Sequence, residues 1–190
     1  MQSKLISFLA VMVLALSSQF ALADKFAEAR QVFQDAGESA AFFNNSYGYA
    51  LCPSIGKGGI GVGGAYGDGK VFVGGKEVGK TSMTQLSVGF QLGGQVYSQI
   101  IFFEDKRAFD DFSSGNFEFS AQATAVAITA GASAQSSTGG GSSAGASGGQ
   151  KDASTVSAGY NKGMAVFTVA KGGLMYEAAL AGQKYSYEAL

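Results

Sequence analysis

Between Lys57 and Asp105 the chain sets glycine at short intervals among β-branched and aromatic residues. Glycine inside a strand marks a bulge, a tight bend or a close backbone approach, so this density predicts a strongly curved sheet. Ile60 and Val62 alternate with glycines up to Tyr66. Gly67-Asp68-Gly69 reads as a turn, and Lys70 to Val73 leaves it as a strand, together a β-hairpin. Leu86, Val88, Phe90 and Leu92 then alternate with Gln85, Ser87, Gly89 and Gln91. Gly93-Gly94 breaks that run, and Val96 to Phe103 has the apolar continuity of a buried strand.

The flanking segments complete the architecture. Lys4, an apolar run from Leu5 to Leu16 and the small residues Ala21-Leu22-Ala23 have the pattern of a secretory signal peptide over residues 1–23. A single domain over 24–190 follows, with export to the periplasm or outer envelope as the expectation. Asp24 caps an expected helix from Lys25, whose residues Phe26, Ala29, Phe33, Ala36, Ala40 and Phe43 form one apolar stripe. Gly37 divides it. Its polar face carries more acid than base, so the stripe is read as core and not as a membrane-seeking face. Lys106 to Phe112 is a second short helix, with Ala108, Phe109 and Phe112 inward. Phe117, Phe119, Ala121 and Ala123 resume alternation. Residues 131–150 are almost entirely Gly, Ser and Ala and are read as a flexible loop. Thr155–Tyr160, Met164–Ala170 and Leu174–Leu180 read as closing strands. The fold class is mainly β (α+β): a strongly curved antiparallel sandwich or barrel of about seven to eight strands, with an N-terminal helix and one short internal helix.

Composition excludes several chemistries. The sequence has no histidine, which removes the Ser-His-Asp and Cys-His triads and the usual zinc sets. Its single cysteine, Cys52, allows no intrachain disulfide and lies in an apolar run that suits a buried residue. With 13 basic and 14 acidic residues there is no basic excess to hold nucleic acid. No cofactor, metal site or catalytic residue is expected.

Two glycine motifs have to be weighed. Gly74-x-x-x-x-Gly79-Lys80-Thr81 spells a phosphate-binding P-loop, and Ile100 to Asp105 imitates the acid-tipped strand that completes one. A P-loop runs directly into a helix, whereas Thr81 to Leu92 alternates with period two, so nucleotide binding stands as a remote alternative. Gly59-x-Gly61-x-x-Gly64 matches the dinucleotide fingerprint but opens a strand. The acids Glu104, Asp105, Asp110 and Asp111 could form a paired-carboxylate site or a solvated helix face. Lys57, Lys70, Lys76 and Lys80 fall close together, and Lys162 and Lys171 sit at later turns. They are either a phosphate-headgroup patch or ordinary turn lysines.

Several separated motifs resemble the SYLF domain family, in the family's order: Lys57 to Gly64, Ser87 to Gln95, Ile100 to Phe103, Tyr160 to Phe167 and Lys171 to Leu174. The resemblance spans about Ala41 to Tyr185 and is nearest the exported bacterial members. It implies non-catalytic lipid binding; eukaryotic members bind phosphoinositides and some bind actin. On it rests the expectation that membrane phospholipid is the partner, contacted through Lys57, Lys70, Lys76, Lys80, Lys162 and Lys171. A structural or adhesive envelope protein is the alternative. Protein partners are not specified by the sequence.

Overall fold

The computed structural model describes residues 25–60, 62–88, 94–120, 123, 125–128, 159–171 and 180–190. The expected signal segment, the Asp24 cap and the segment over 131–150 lie outside them, as do most of the strands expected over Thr155–Tyr160 and Leu174–Leu180. Eight strands of the described residues form one sheet: β1 Gly48–Ile60, β2 Val62–Val73, β3 Lys76–Val88, β4 Gln95–Phe103, β5 Phe117–Glu118, β6 Val126–Ile128, β7 Met164–Ala170 and β8 Gln183–Ala189. Their order is β5-β8-β3-β2-β1-β4-β7-β6. Every pairing is antiparallel except the short parallel contact of β6 with β7. The helices are α1 (residues 25–35), α2 Gly37–Ala40, α3 Phe42–Asn45 and α4 Lys106–Ser113.

The sheet is curled into a half-barrel, so the barrel-like form of the expected fold is the one adopted. Its curvature can be read from one contact. Strands β4 and β8 stand four places apart in the sheet, which would separate them by about 19 Å if it were flat. Instead Gln99 Nε2 of β4 donates to Gln183 Oε1 of β8 at 2.9 Å, and also to the hydroxyl of Tyr185. Tyr185 in turn donates to Gln183 Oε1. These buried amides and hydroxyls satisfy one another inside the curl, as buried polar groups must.

Two apolar cores sandwich the sheet. On the inner side lie Ala50, Cys52, Ile55, Val71, Met83, Ile101 and Phe103, closed by Ala108 and Phe112 of α4. On the outer side lie Tyr49, Leu51, Ile100, Phe102 and Phe167, covered by Ala29 and Phe33 of α1 and Phe42 of α3. The stripe of α1 is therefore core, as its acidic polar face implied. Ser39 fixes the turn between these helices by donating its hydroxyl to the Phe33 carbonyl at 2.6 Å. Helix α4 begins where expected because Asp105 caps it, accepting from the Ala108 amide at 2.9 Å.

The hairpin departs from expectation. Strand β2 runs unbroken through Gly67-Asp68-Gly69, and the turn falls at Gly74-Gly75, where both φ angles are positive (56° and 78°). Two left-handed residues make the tight turn whose twist matches its strands, and glycine takes them without strain. Gly67 and Gly69 serve another purpose: a Cβ at Gly69 would lie 2.7 Å from Cys52 Sγ and 2.8 Å from the Leu51 carbonyl oxygen. They let β2 pass closely over β1 where β1 bulges. That bulge lies between Cys52 and Ile55, around Pro53, which has no N–H to give a ladder. It inverts the alternation, so Cys52 and Ile55 both face inward despite their odd spacing. Residues Gln183 to Ala189, which form β8, were not among the expected strands, nor was β6.

Cys52 is 2% exposed, and burial pushes its thiol up to about 12, with Asp68 adding to the shift. At pH 8 iodoacetamide should modify it on the order of 10³-fold more slowly in the folded protein than in urea. Comparable rates would show that the inner core is open to solvent.

Candidate functional site

The register of the sheet assigns each side chain to a face. In β2 the odd positions from Gly63 to Val71 are buried against the inner core, and the even positions turn outward. Cross-strand pairing then lays out rows on the outer face. One row is Thr84, Tyr66, Gly56 and Val96; the next holds Leu86, Gly64 and Gly58, with Val62 beyond. These rows lie past the reach of the helices. Val62, Tyr66, Leu86 and Val96 are 66%, 54%, 84% and 41% exposed, and they are four of the five exposed large apolar side chains among the described residues. A patch of that kind on a folded surface marks contact with something apolar.

Between these side chains the floor is bare backbone. A Cβ built at Gly56 or at Gly58 would meet nothing within 4 Å. Packing among the described residues thus does not require glycine at either position. The cleft of about 590 Å³ there is bounded by Gly56, Tyr66, Thr84, Leu86 and the Lys184–Glu118 ion pair. At its margin Tyr66 donates to Asp68 Oδ1 at 2.6 Å, and that hydrogen bond raises the phenol's pKa.

The six lysines expected to act together are divided. Lys57 and Lys171 stand at the exposed apolar end: Lys57 pairs with Gln95 in the β1–β4 ladder, and the Lys171 amide donates to the Val96 carbonyl at 2.8 Å. The others sit toward the opposite end. Lys70 and Lys80 are direct cross-strand partners, Lys76 follows the β2–β3 turn, and Lys162 precedes β7, whose first residue aligns with Phe103, Gly48 and Val73. Lys70 is also engaged, bridging Glu77 at 2.8 Å with its ammonium 5.1 Å from the Phe26 ring centre. No ion pair is made by Lys57, Lys76, Lys80, Lys162 or Lys171 among the described residues.

The competing motifs dissolve into structure. Gly74 and Gly75 are the β2–β3 turn, Gly79 packs under the Tyr187 ring, and the Thr81 hydroxyl donates to the Ser186 carbonyl at 2.6 Å. Strand, not helix, follows, so the backbone amides needed to cradle phosphate are spent on the ladder. Gly59 and Gly64 likewise belong to the β1–β2 hairpin. Of the acids, Asp105 caps α4, Asp110 bridges Lys106 at 2.7 Å and Asp111 lies 4.0 Å from Arg107. No cluster of three potential metal ligands occurs among the described residues.

Comparison with known proteins gives the family. The family model described as Ysc84, a Las17-binding protein actin regulator, matches residues 84–187, just over half of the chain. The chain belongs to the Ysc84 (SYLF) family. It is also similar to the beta cell expansion factor A of Aeromonas veronii, at 29% identity over 157 residues, which cover 82% of this chain and 51% of that protein. The chain thus spans about half the length of this curated relative. The Ysc84 family is associated with lipid binding. Its matched region includes Leu86 and Val96, two of the four exposed apolar residues, and Lys171.

The apolar half of the surface escapes sequence reasoning. Alternation places Leu86 on one face of β3, but every outward residue of β3 alternates equally well. Only the extent of helix cover separates Leu86 and Tyr66 from Phe72. Gly56 and Gly58 also look like the other glycines until their surroundings are known.

Proposed function

We propose that this protein is a non-catalytic lipid-binding domain that docks on anionic phospholipid at the bacterial envelope through the uncovered end of its sheet. The observation that carries the reading is the gathering of Val62, Tyr66, Leu86 and Val96 on one outer face, with Lys171 beside Val96 and Lys57 on the reverse face at the same end, neither in an ion pair among the described residues. Apolar side chains enter the interfacial layer, and the bare backbone at Gly56 and Gly58 lets the sheet approach closely. The Lys171 ammonium meets headgroup phosphates at its margin, and Lys57 reaches them around the end of the sheet. Phosphoinositide-like headgroups satisfy the same chemistry. Family membership supports the lipid reading.

Co-sedimentation with phosphatidylglycerol-containing vesicles at low salt tests it. A lysine near an anionic surface contributes about 1 kcal/mol, so replacing Lys57 and Lys171 with alanine should weaken binding roughly 30-fold. Leu86→Asp should weaken it at least as much, because a buried leucine is worth about 1.5–3 kcal/mol. The salt dependence should flatten more in the lysine variant, which removes two positive charges, than in Leu86→Asp, which adds one negative charge. Binding unaltered by all three substitutions would reject this surface, and capture of a protein in the absence of any vesicle affinity would favour an adhesive role.

A further inference from the structure

We infer a second binding site, independent of the membrane reading and touching the outer cleft only at Glu118, in the seam that the described residues leave between β5 and β7. It takes a single-chain amphiphile with an anionic head. Among the described residues the sheet ends at β5 on one side and β6 on the other. Between β5 and the start of β7 lies a pocket of about 220 Å³ whose walls are Phe117, Phe119, Met164, Val166 and Leu180. Drug-sized ligands occupy pockets of about 300–1,000 Å³, so this one suits one short chain, or the end of one, and not a two-chain lipid. Farther along the same inward face of β7 comes Thr168, which is 1% exposed and whose hydroxyl has no partner among the described residues.

The mouth supplies the polarity. Lys162, Asp111 and Glu118 all border the pocket. Glu118 lies 3.5 Å from Lys184 and Asp111 lies 4.0 Å from Arg107, whereas Lys162 has no ion-pair partner among the described residues. Its backbone is held at φ 52°, and it is the only residue other than glycine with positive φ among the described residues. The turn is pinned by paired hydrogen bonds between Asn161 and Met164, at 2.9 and 3.0 Å. Glycine would satisfy this turn without strain, as it does next door at Gly163. A lysine kept in a left-handed position over a pocket with an apolar wall and a polar mouth is the arrangement expected where the charge has a use.

The probe is octanoate, kept below its micelle concentration and titrated calorimetrically into the protein. Octanoate should bind, and octyltrimethylammonium, with the same chain and the opposite charge, should not. Lys162→Gly should keep or raise the melting temperature while weakening octanoate at least tenfold, and Lys162→Arg should retain most of the affinity. Because Lys162→Gly relieves backbone strain, its loss of binding cannot be ascribed to unfolding. Vesicle binding through Leu86 should be unchanged in both variants, which separates this site from the outer surface. Absence of octanoate binding, equal binding of the cationic amphiphile, or undiminished binding by Lys162→Gly would overturn the assignment.

Discussion

Phe102→Ala should lower the free energy of unfolding by about 3–5 kcal/mol, read from urea melts. Phe102 is fully buried on the outer face of β4, and its ring lies 4.9 Å from Phe43, 5.4 Å from Phe42 and 5.9 Å from both Tyr49 and Phe167. It is the point at which α3, β1 and β7 meet. Those neighbours are anchored on separate elements and cannot all move in, so a cavity remains and adds to the lost transfer energy. Domains of this size are stable by only about 5–15 kcal/mol, so the variant should unfold at a visibly lower temperature. A loss below about 1 kcal/mol would mean that the helices are not packed on the sheet as described.

Gly69→Ala should cost about 1–3 kcal/mol or prevent folding, while Gly56→Ala, only thirteen positions earlier in the same hairpin, should be neutral or slightly stabilising. At Gly69 the new methyl would stand 2.7–2.8 Å from Cys52 Sγ, the Leu51 carbonyl oxygen and Thr81 Cγ2. The carbonyl belongs to the central strand and cannot yield without disturbing two ladders. At Gly56 the methyl meets nothing within 4 Å, and alanine restricts the unfolded chain, an effect of about 0.4–1 kcal/mol in favour of folding. The contrast is read from paired thermal melts. Equal effects at both sites would remove the distinction between glycines that the fold needs and glycines that leave a surface bare.

The elements most legible in the sequence are those fixed by short-range periodicity. The α1 stripe of Phe26, Ala29 and Phe33, strand β4, strand β7 and helix α4 with its inward Ala108 and Phe112 all follow from spacing, capping and apolar continuity. The turns are less legible. Gly67-Asp68-Gly69 has hairpin composition, yet its glycines answer to a neighbouring strand 12 to 18 residues earlier in the chain. Composition cannot distinguish a glycine required by its own φ, such as Gly74, from one required by another strand. Strand β8 eludes reading because Lys184, Ser186 and Glu188 face outward and hydrophilic, leaving its inward Gln183 and Tyr185 to pair as polar groups. The lysines show the limit for sites. Closeness in sequence suggested a single patch, but an antiparallel meander sends Lys57 and Lys76 to opposite ends of the sheet.

The strand order also dictates a sequence of events in time. The first of the described strands, β1, lies at the middle of the sheet, and β2 to β4 can assemble around it by local hairpins. Completion waits for β8, which returns over roughly a hundred residues to pair with β3 and to close the Gln99–Gln183–Tyr185 network. Such distant pairing is slow because the loop entropy is lost before the contact is gained. The edge of β3 therefore stays unpaired until Gln183 to Ala189 have been synthesised, and the nascent polypeptide remains unlocked until then.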